Sequence, residues 1–581
     1  DTTNISSGSR QVVEKDGTAT GSNISAGGSL IVYTGGIAHG VNQETGSALV
    51  ANTGAGTDIE GYNKLSHFTI TGGEANYVVL ENTGELTVVA KTSAKNTTVD
   101  AGGKLIVQKE AKTDTTRLNN GGVLEVQDGG EAKHVEQQSG GALIASTTSG
   151  TLIEGTNSYG DAFYIRNSEA KNVVLENAGS LTVVTGSRAV DTIINANGKM
   201  DVYGKDVGTV LNSAGTQTIY ASATSDKANI KGGKQTVYGL ATEANIESGE
   251  QIVDGGSTEK THINGGTQTV QNYGKAINTD IVSGLQQIMA NGTAEGSIIN
   301  GGSQVVNEGG LAENSVLNDG GTLDVREKGS ATGIQQSSQG ALVATTRATR
   351  VTGTRADGVA FSIEQGAANN ILLANGGVLT VESDTSSDKT QVNAGGREIV
   401  KTKATATGTT LTGGEQIVEG VANETTINDG GIQTVSANGE AIKTKINEGG
   451  TLTVNDNGKA TDIVQNSGAA LQTSTANGIE ISGTHQYGTF SISGNLATNM
   501  LLENGGNLLV LAGTEARDST VGKGGAVQNL GQDSATKVNS GGQYTLGRSK
   551  DEFQALARAE DLQVAGGTAI VYAGTLADAS V

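Results

Sequence analysis

Five histidines, His39, His67, His134, His262 and His485, are the first residues to weigh as ligands or bases. None stands at metal-ligand spacing from another, and Cys is absent, so no zinc set is expected. Serine is abundant, yet neither a G-x-S-x-G elbow nor a phosphate-binding loop occurs. An unaccompanied Ser is not a nucleophile, because its hydroxyl needs a base beside it. Gly-Gly pairs recur without the alternating Gly and Asp of calcium-binding nonapeptides, so no calcium ladder is expected. Weak calcium binding to so acidic a surface stays open. A polysaccharide lyase or hydrolase would need clustered carboxylates and aromatic platforms for sugar. The chain has no Trp and only five Phe. We therefore expect no catalytic, metal-binding or cofactor-binding residue, and no cofactor. The chemistry left over is non-covalent binding.

Composition narrows the partners and the scaffold. The 581 residues carry 38 basic and 60 acidic groups, a net charge of -22. Nucleic acid is not an expected partner, since binding it needs a basic patch. Pro and Cys are both zero, which suits a chain exported unfolded through an oxidising compartment. No apolar run approaches the roughly 20 residues of a membrane span. The chain starts inside a repeat, and we read it as a mature fragment whose signal or anchor lies outside it. With 88 Gly and 3% aromatics, the core must be thin and built from Val, Ile, Leu and Ala.

The repeat supplies that scaffold. Val253, Val270, Ile288, Val306 and Val325 follow one another at spacings of 17, 18, 18 and 19. Gln251, Gln268, Gln286, Gln304 and Leu323 stand two before each, and Ile246, Ile263, Ile281, Ile299 and Leu317 stand earlier again. The unit reads T-x-I-x-x-G-G-x-Q-x-V-x-x-x-G-x-A and returns at Val400, Val418, Val435 and Val454. Its period-2 segments are too short for a helix, and its corners carry Gly and Asn, which tolerate positive φ. One such unit cannot bury its own apolar side, but stacked on a neighbour it makes a continuous column. The expected fold is a right-handed parallel β-solenoid with three faces per coil, one continuous domain over 1–581. Roughly 30 coils at roughly 4.8 Å each give a rod on the order of 140 Å. The Gln row shares the parity of Val, and we expect a stacked amide ladder at a buried corner.

Four longer units, at 47–89, 140–184, 340–381 and 468–510, interrupt the rhythm. Each opens on A-L and closes on a form of V-L-E-N-x-G-x-L-T-V. Phe68, Phe163, Phe361 and Phe490 hold one equivalent place in them. We expect hairpin excursions packed onto the solenoid by that Phe, acting as local stiffeners rather than binding loops. A short helix is expected over 549–561, where Phe553, Leu556, Ala557 and Glu560 have helical spacing.

The two unit types together resemble the passengers of AIDA-type self-associating autotransporters, the group of the antigen 43, AIDA and TibA adhesins. The resemblance covers essentially the whole chain. It implies secretion from a Gram-negative bacterium through a C-terminal β-barrel, absent from this chain, and display at the cell surface. It further implies homotypic contact between cells, autoaggregation and biofilm formation. Some members are O-glycosylated on Ser or Thr by a glycosyltransferase, which makes Thr267, Thr269, Thr434 and Thr453 candidate acceptors. For self-association the candidate row is the outward residue before the inward Ile or Leu: His262, Asp280, Thr410, Thr426 and Lys445. Many weak contacts in register would supply avidity. A host protein or glycan receptor is the alternative partner, and a β-helix polysaccharide lyase or hydrolase the more distant one.

Overall fold

The computed structural model describes residues 1–548, 557–572 and 574–581. It divides into two compact units, residues 1–286 with 292–294, and residues 287–291 with 295–581. Every regular element described is a β-strand, from 2 residues to 10.

In the first unit, Lys199–Val202 pairs in parallel with Thr216–Ile219, Lys205–Val207 with Thr224–Asp226, and Val210–Asn212 with Asn229–Val237. Each strand thus meets the one three faces further along, and three faces close one turn of a β-solenoid. Register is like on like: Val202, Ile219, Val237, Val253 and Val270 form one inward column. The second unit repeats this with Val400, Val418, Val435 and Val454. Its other two faces contribute Ala406, Ala422, Ala441 and Ala460, and Leu411, Ile427 and Ile446. In these turns a Val column, an Ala column and an Ile/Leu column fill so narrow a cross-section without large aromatics. Each buried Val or Leu stabilises the stack by about 1.5–3 kcal/mol.

The Gln row is the expected amide ladder. Gln235 Nε2 donates to Gln217 Oε1 at 2.9 Å, Gln251 to Gln235 at 2.8 Å, Gln268 to Gln251 at 2.9 Å and Gln286 to Gln268 at 2.8 Å. Each amide satisfies its neighbour one turn away, so burial costs little. The paired glycines at the corners serve two needs. Gly102 sits at φ +79°, whereas a Cβ on Gly103 would lie 2.1 Å from the Leu80 carbonyl oxygen.

Of the segment 549–561, read above as a helix, residues 549–556 lie outside the described residues. Ala557–Glu560 is a strand, paired in parallel with Gln532–Ser534. Ala557 and Ala559 point inward and Arg558 and Glu560 outward, a period of two rather than 3.6.

Candidate functional site

Two kinds of surface stand out from the plain stack: four excursions and the outward columns. In the first excursion Asp58–Tyr62 pairs antiparallel with His67–Thr71, which pairs antiparallel with Glu74–Asn76. The same meander recurs with Leu152–Thr156, Ala162–Arg166 and Glu169–Lys171. It recurs again with Arg350–Arg355, Ala360–Glu364 and Ala367–Asn369, and with Glu480–His485, Gly488–Ser493 and Leu496–Thr498. Phe68, Phe163, Phe361 and Phe490 lie in the middle strands, only 1%, 2%, 3% and 3% exposed. Each faces a glycine, Gly61, Gly155, Gly353 or Gly483. A Cβ on Gly353 would meet Phe361 Cζ at 2.5 Å, so the glycine makes room for the ring.

Polar stitches close the stack across each excursion. Gln43, Gln137, Gln336 and Gln465 donate to the carbonyls of Val79, Val174, Leu372 and Leu501 at 3.0, 3.1, 3.0 and 3.0 Å. The Glu-Asn of V-L-E-N clamps one residue by both its N–H and its carbonyl. Glu176 accepts the Gly140 N–H at 2.6 Å while Asn177 donates to the Gly140 carbonyl at 2.9 Å. Glu503 and Asn504 hold Gly468 the same way, at 2.7 Å each. The third copy has Ala374 in place of Glu, and there the Gln339 N–H turns to Asp319 at 3.2 Å instead.

The tips are anchored by four positions that differ in residue type. Asn63, Asn157, Arg355 and His485 donate to the carbonyls of Tyr77, Asn172, Asn370 and Asn499 at 2.8, 2.8, 3.2 and 2.6 Å. Those carbonyls belong to corner residues at φ 58°, 56°, 57° and 53°. His485 Nδ1 also accepts the Tyr487 N–H at 3.0 Å, which fixes the neutral tautomer. Burial pushes the His485 pKa below its usual value. Tyr62, Leu65, Tyr159 and Tyr487 remain exposed at the tips.

The outward columns hold the residues expected to bind. His262 Nδ1 and Asp280 Oδ2 come together at 3.0 Å, both about two-fifths exposed. Thr410, Thr426 and Lys445 occupy one register position on successive turns, with Thr410 and Thr426 half-buried and Lys445 exposed. Thr267, Thr269, Thr434 and Thr453 are half-buried on the outer side of their strands. Thr453 donates to Gln472 Oε1 at 3.1 Å. Some surface charges pair between neighbouring turns, as in His39 with Asp58 at 2.9 Å and His134 with Asp114 at 3.0 Å.

Three buried carboxylates escaped the sequence reading. Asp206 takes an Ala position in its column and accepts from Thr209 and Gln217 at 2.6 Å and Ser225 at 3.1 Å. Asp533 also replaces Ala, and accepts from Thr536 and, at 2.7 Å, the Tyr544 hydroxyl. Burial pushes both carboxyls up to about 6. Glu398 stands in the Gln row, where Gln416 donates to it at 2.8 Å. A carboxylate at an inward parity position was the signal that could have found them.

Stacked parallel turns with polar outward columns and anchored meanders make each unit a β-solenoid. The chain matches the family described as "Adhesin of bacterial autotransporter system, probable stalk" over residues 60–122, 154–215, 352–414, 416–469 and 482–542, more than half its length. It belongs to this AIDA family of autotransporter adhesins. Among its relatives, it is 99% identical over 573 residues to the probable autotransporter YpjA of Escherichia coli strain K12, covering 99% of this chain and 38% of that protein. It is 53% identical over 47 residues to the autotransporter adhesin/invasin TibA of Escherichia coli O78:H11 strain H10407, covering 8% of this chain and 5% of TibA. A solved structure of a TibA fragment, hyper-glycosylated by TibC catalysis, is 29% identical with a TM-score of 0.30, covering 53% of this chain and 98% of that one. The chain thus spans less than two fifths of the length of these curated relatives.

Proposed function

We propose that this chain is a non-catalytic stalk segment displayed on a Gram-negative cell surface, where it binds copies of itself on neighbouring cells and drives autoaggregation and biofilm formation. The observation behind the reading is the register of the outward columns. Thr410, Thr426 and Lys445 recur one per turn at one position, so a second copy alongside meets the same groups at the same spacing. Each contact is weak, and their number supplies the avidity. The net charge of -22 opposes the approach, which favours a face of uncharged Thr.

The experiment is display on otherwise non-aggregating cells, mixed with cells that display nothing. Homotypic binding settles the first population and leaves the second suspended. Co-settling of the second population, or binding only to a host surface or glycan, would replace self-association with a receptor adhesin. If uncharged hydrogen bonds dominate, salt should help, since the Debye length falls from about 10 Å at 0.1 M to about 3 Å at 1 M.

Glycosylation belongs to the same reading. The TibA fragment is described as hyper-glycosylated. In this chain Thr267, Thr269 and Thr434 offer outward, half-buried hydroxyls. Intact mass of the protein from its native host decides this: an excess in whole sugar units is expected, and the bare mass would exclude it.

A further inference from the structure

Among the described residues, the longest column of stacked aromatic rings lies in the first unit. Tyr203 and Tyr220 stack with ring centroids 4.2 Å apart and planes 4° from parallel, and Tyr238 continues behind Tyr220 at 6.3 Å and 25°. The three residues follow equivalent inward positions, Val202, Ile219 and Val237. One turn earlier that place, after Val183, is held by Val184, so the column ends at Tyr203 with one ring face unstacked. Tyr203 and Tyr238 are 42% and 43% exposed.

The backbone opens a cleft at that end. The corner Tyr203-Gly204 has only two residues between strands, while the corners before and after it, 184–187 and 220–223, have four. The short corner sinks between two longer ones. The resulting cleft of about 410 Å³ is lined by Tyr203, Thr185, Arg188, Lys205, Ser222 and Thr224 among others, and Tyr220 is not part of the lining. Arg188 and Lys205 stand side by side in register at its edge. Arg188 meets Glu169 at 3.5 Å, whereas Lys205 makes no ion pair among the described residues. Two neighbouring cations on a chain of net charge -22 repel each other, and an anion between them relieves the repulsion.

We propose that this cleft binds a carboxylated pyranose unit of an acidic polysaccharide. The apolar face of the sugar ring lies on the unstacked face of Tyr203, backed by Tyr220. The carboxylate sits between Lys205 and Arg188 in a charge-assisted contact. The hydroxyls of Thr185, Ser222 and Thr224 face the sugar's own hydroxyls. An aromatic floor with a few converging polar groups is the general design of a small-ligand site. The site is independent of the homotypic reading, since it uses neither the Thr column nor the excursions.

The test is a titration of the whole chain with hexagalacturonate, followed by tyrosine emission, which Trp does not mask because the chain has none. Maltohexaose serves as the neutral probe and dextran sulfate as the non-carboxylate anion. Saturable binding is expected for hexagalacturonate, weakened at least about tenfold by Tyr203→Ala and by Lys205→Glu. Tyr203→Phe and the distant Tyr273→Ala should keep the affinity within about twofold. Lys205→Glu leaves the ring stack untouched, so a folding defect in Tyr203→Ala, visible by circular dichroism, does not blunt the test. No saturable binding, equal affinity for maltohexaose, equal affinity for dextran sulfate with no dependence on Tyr203, or an equal loss in Tyr273→Ala would overturn the proposal.

Discussion

The plain turns from Lys199 to Gln271 and the meander from Arg350 to Asn369 bury their polar side chains in opposite ways. In the plain turns, Gln217, Gln235, Gln251 and Gln268 bond to one another, each amide serving the next turn. In the meander, Arg355 reaches one main-chain carbonyl and Phe361 fills one pocket opposite one glycine. A column spreads the loss of one member over its neighbours. An anchor has no neighbour to share the load. The excursions should therefore open one at a time, and the plain turns should open last.

Phe361→Ala should have the largest effect, confined to its own excursion. Losing a buried ring should cost about 3–5 kcal/mol. Hydrogen exchange should show the strands at 350–369 opening while the Val400 to Val454 column stays protected. Equal loss in both regions would mean that the excursion is not a separate unit of stability.

Asp206 gives the plain turns a pH dependence of their own. Its folded pKa is pushed up to about 6 by burial, against an ordinary value of 3.8. Below 3.8 both folded and unfolded states hold the proton, and stability is complete. Between 3.8 and about 6 only the unfolded state releases it, so stability falls as pH rises through that window, by on the order of 3 kcal/mol. Local exchange around 205–225 should slow on mild acidification, and Asp206→Asn should flatten the dependence.

These two predictions draw on different depths of the sequence. The columns were legible because their period of two and their repeat of 17 to 19 residues are local facts that stacking turns into contacts. The shared Phe position was legible for the same reason. The clamp of Glu503 on Gly468 was not, because its partner lies 35 residues back and the bond is made to main chain. The tip anchors were hidden further, since Asn63, Asn157, Arg355 and His485 share a geometry and no residue type. Among the site residues, parity placed Thr410, Thr426 and Lys445 outward, but the pairing of His262 with Asp280 needed the register.

Gln251→Leu perturbs the amide column of the plain turns. Leu fits, since it occupies this row at Leu105 and Leu124. It also strands the Gln235 side-chain oxygen, at a cost of about 1–3 kcal/mol, while Gln268 keeps the Thr258 and Thr261 hydroxyls as acceptors. Thermal unfolding should shift modestly, with exchange raised over several turns rather than one.

The smallest effect belongs to His485. Its folded pKa lies below the usual value because it is buried. Above pH 6.5 it is neutral in both states and the tip is fully held. As pH falls below 6.5, the unfolded form takes the proton more readily, and stability is lost through the folded pKa. Protonating Nδ1 also ends its contact with the Tyr487 N–H. Exchange at 480–498 should therefore quicken on acidification, opposite in sign to the turns around Asp206.

The division of labour between columns and excursions is tested most directly by settling of cells that display the chain. Thr410→Glu with Thr426→Glu places two charges in one outward column, and Tyr487→Ala removes an exposed ring from an excursion tip. The double Glu variant should stay suspended while Tyr487→Ala settles like the parent. Settling by the double variant, with loss in Tyr487→Ala, would put the adhesive surface on the excursions and contradict the account.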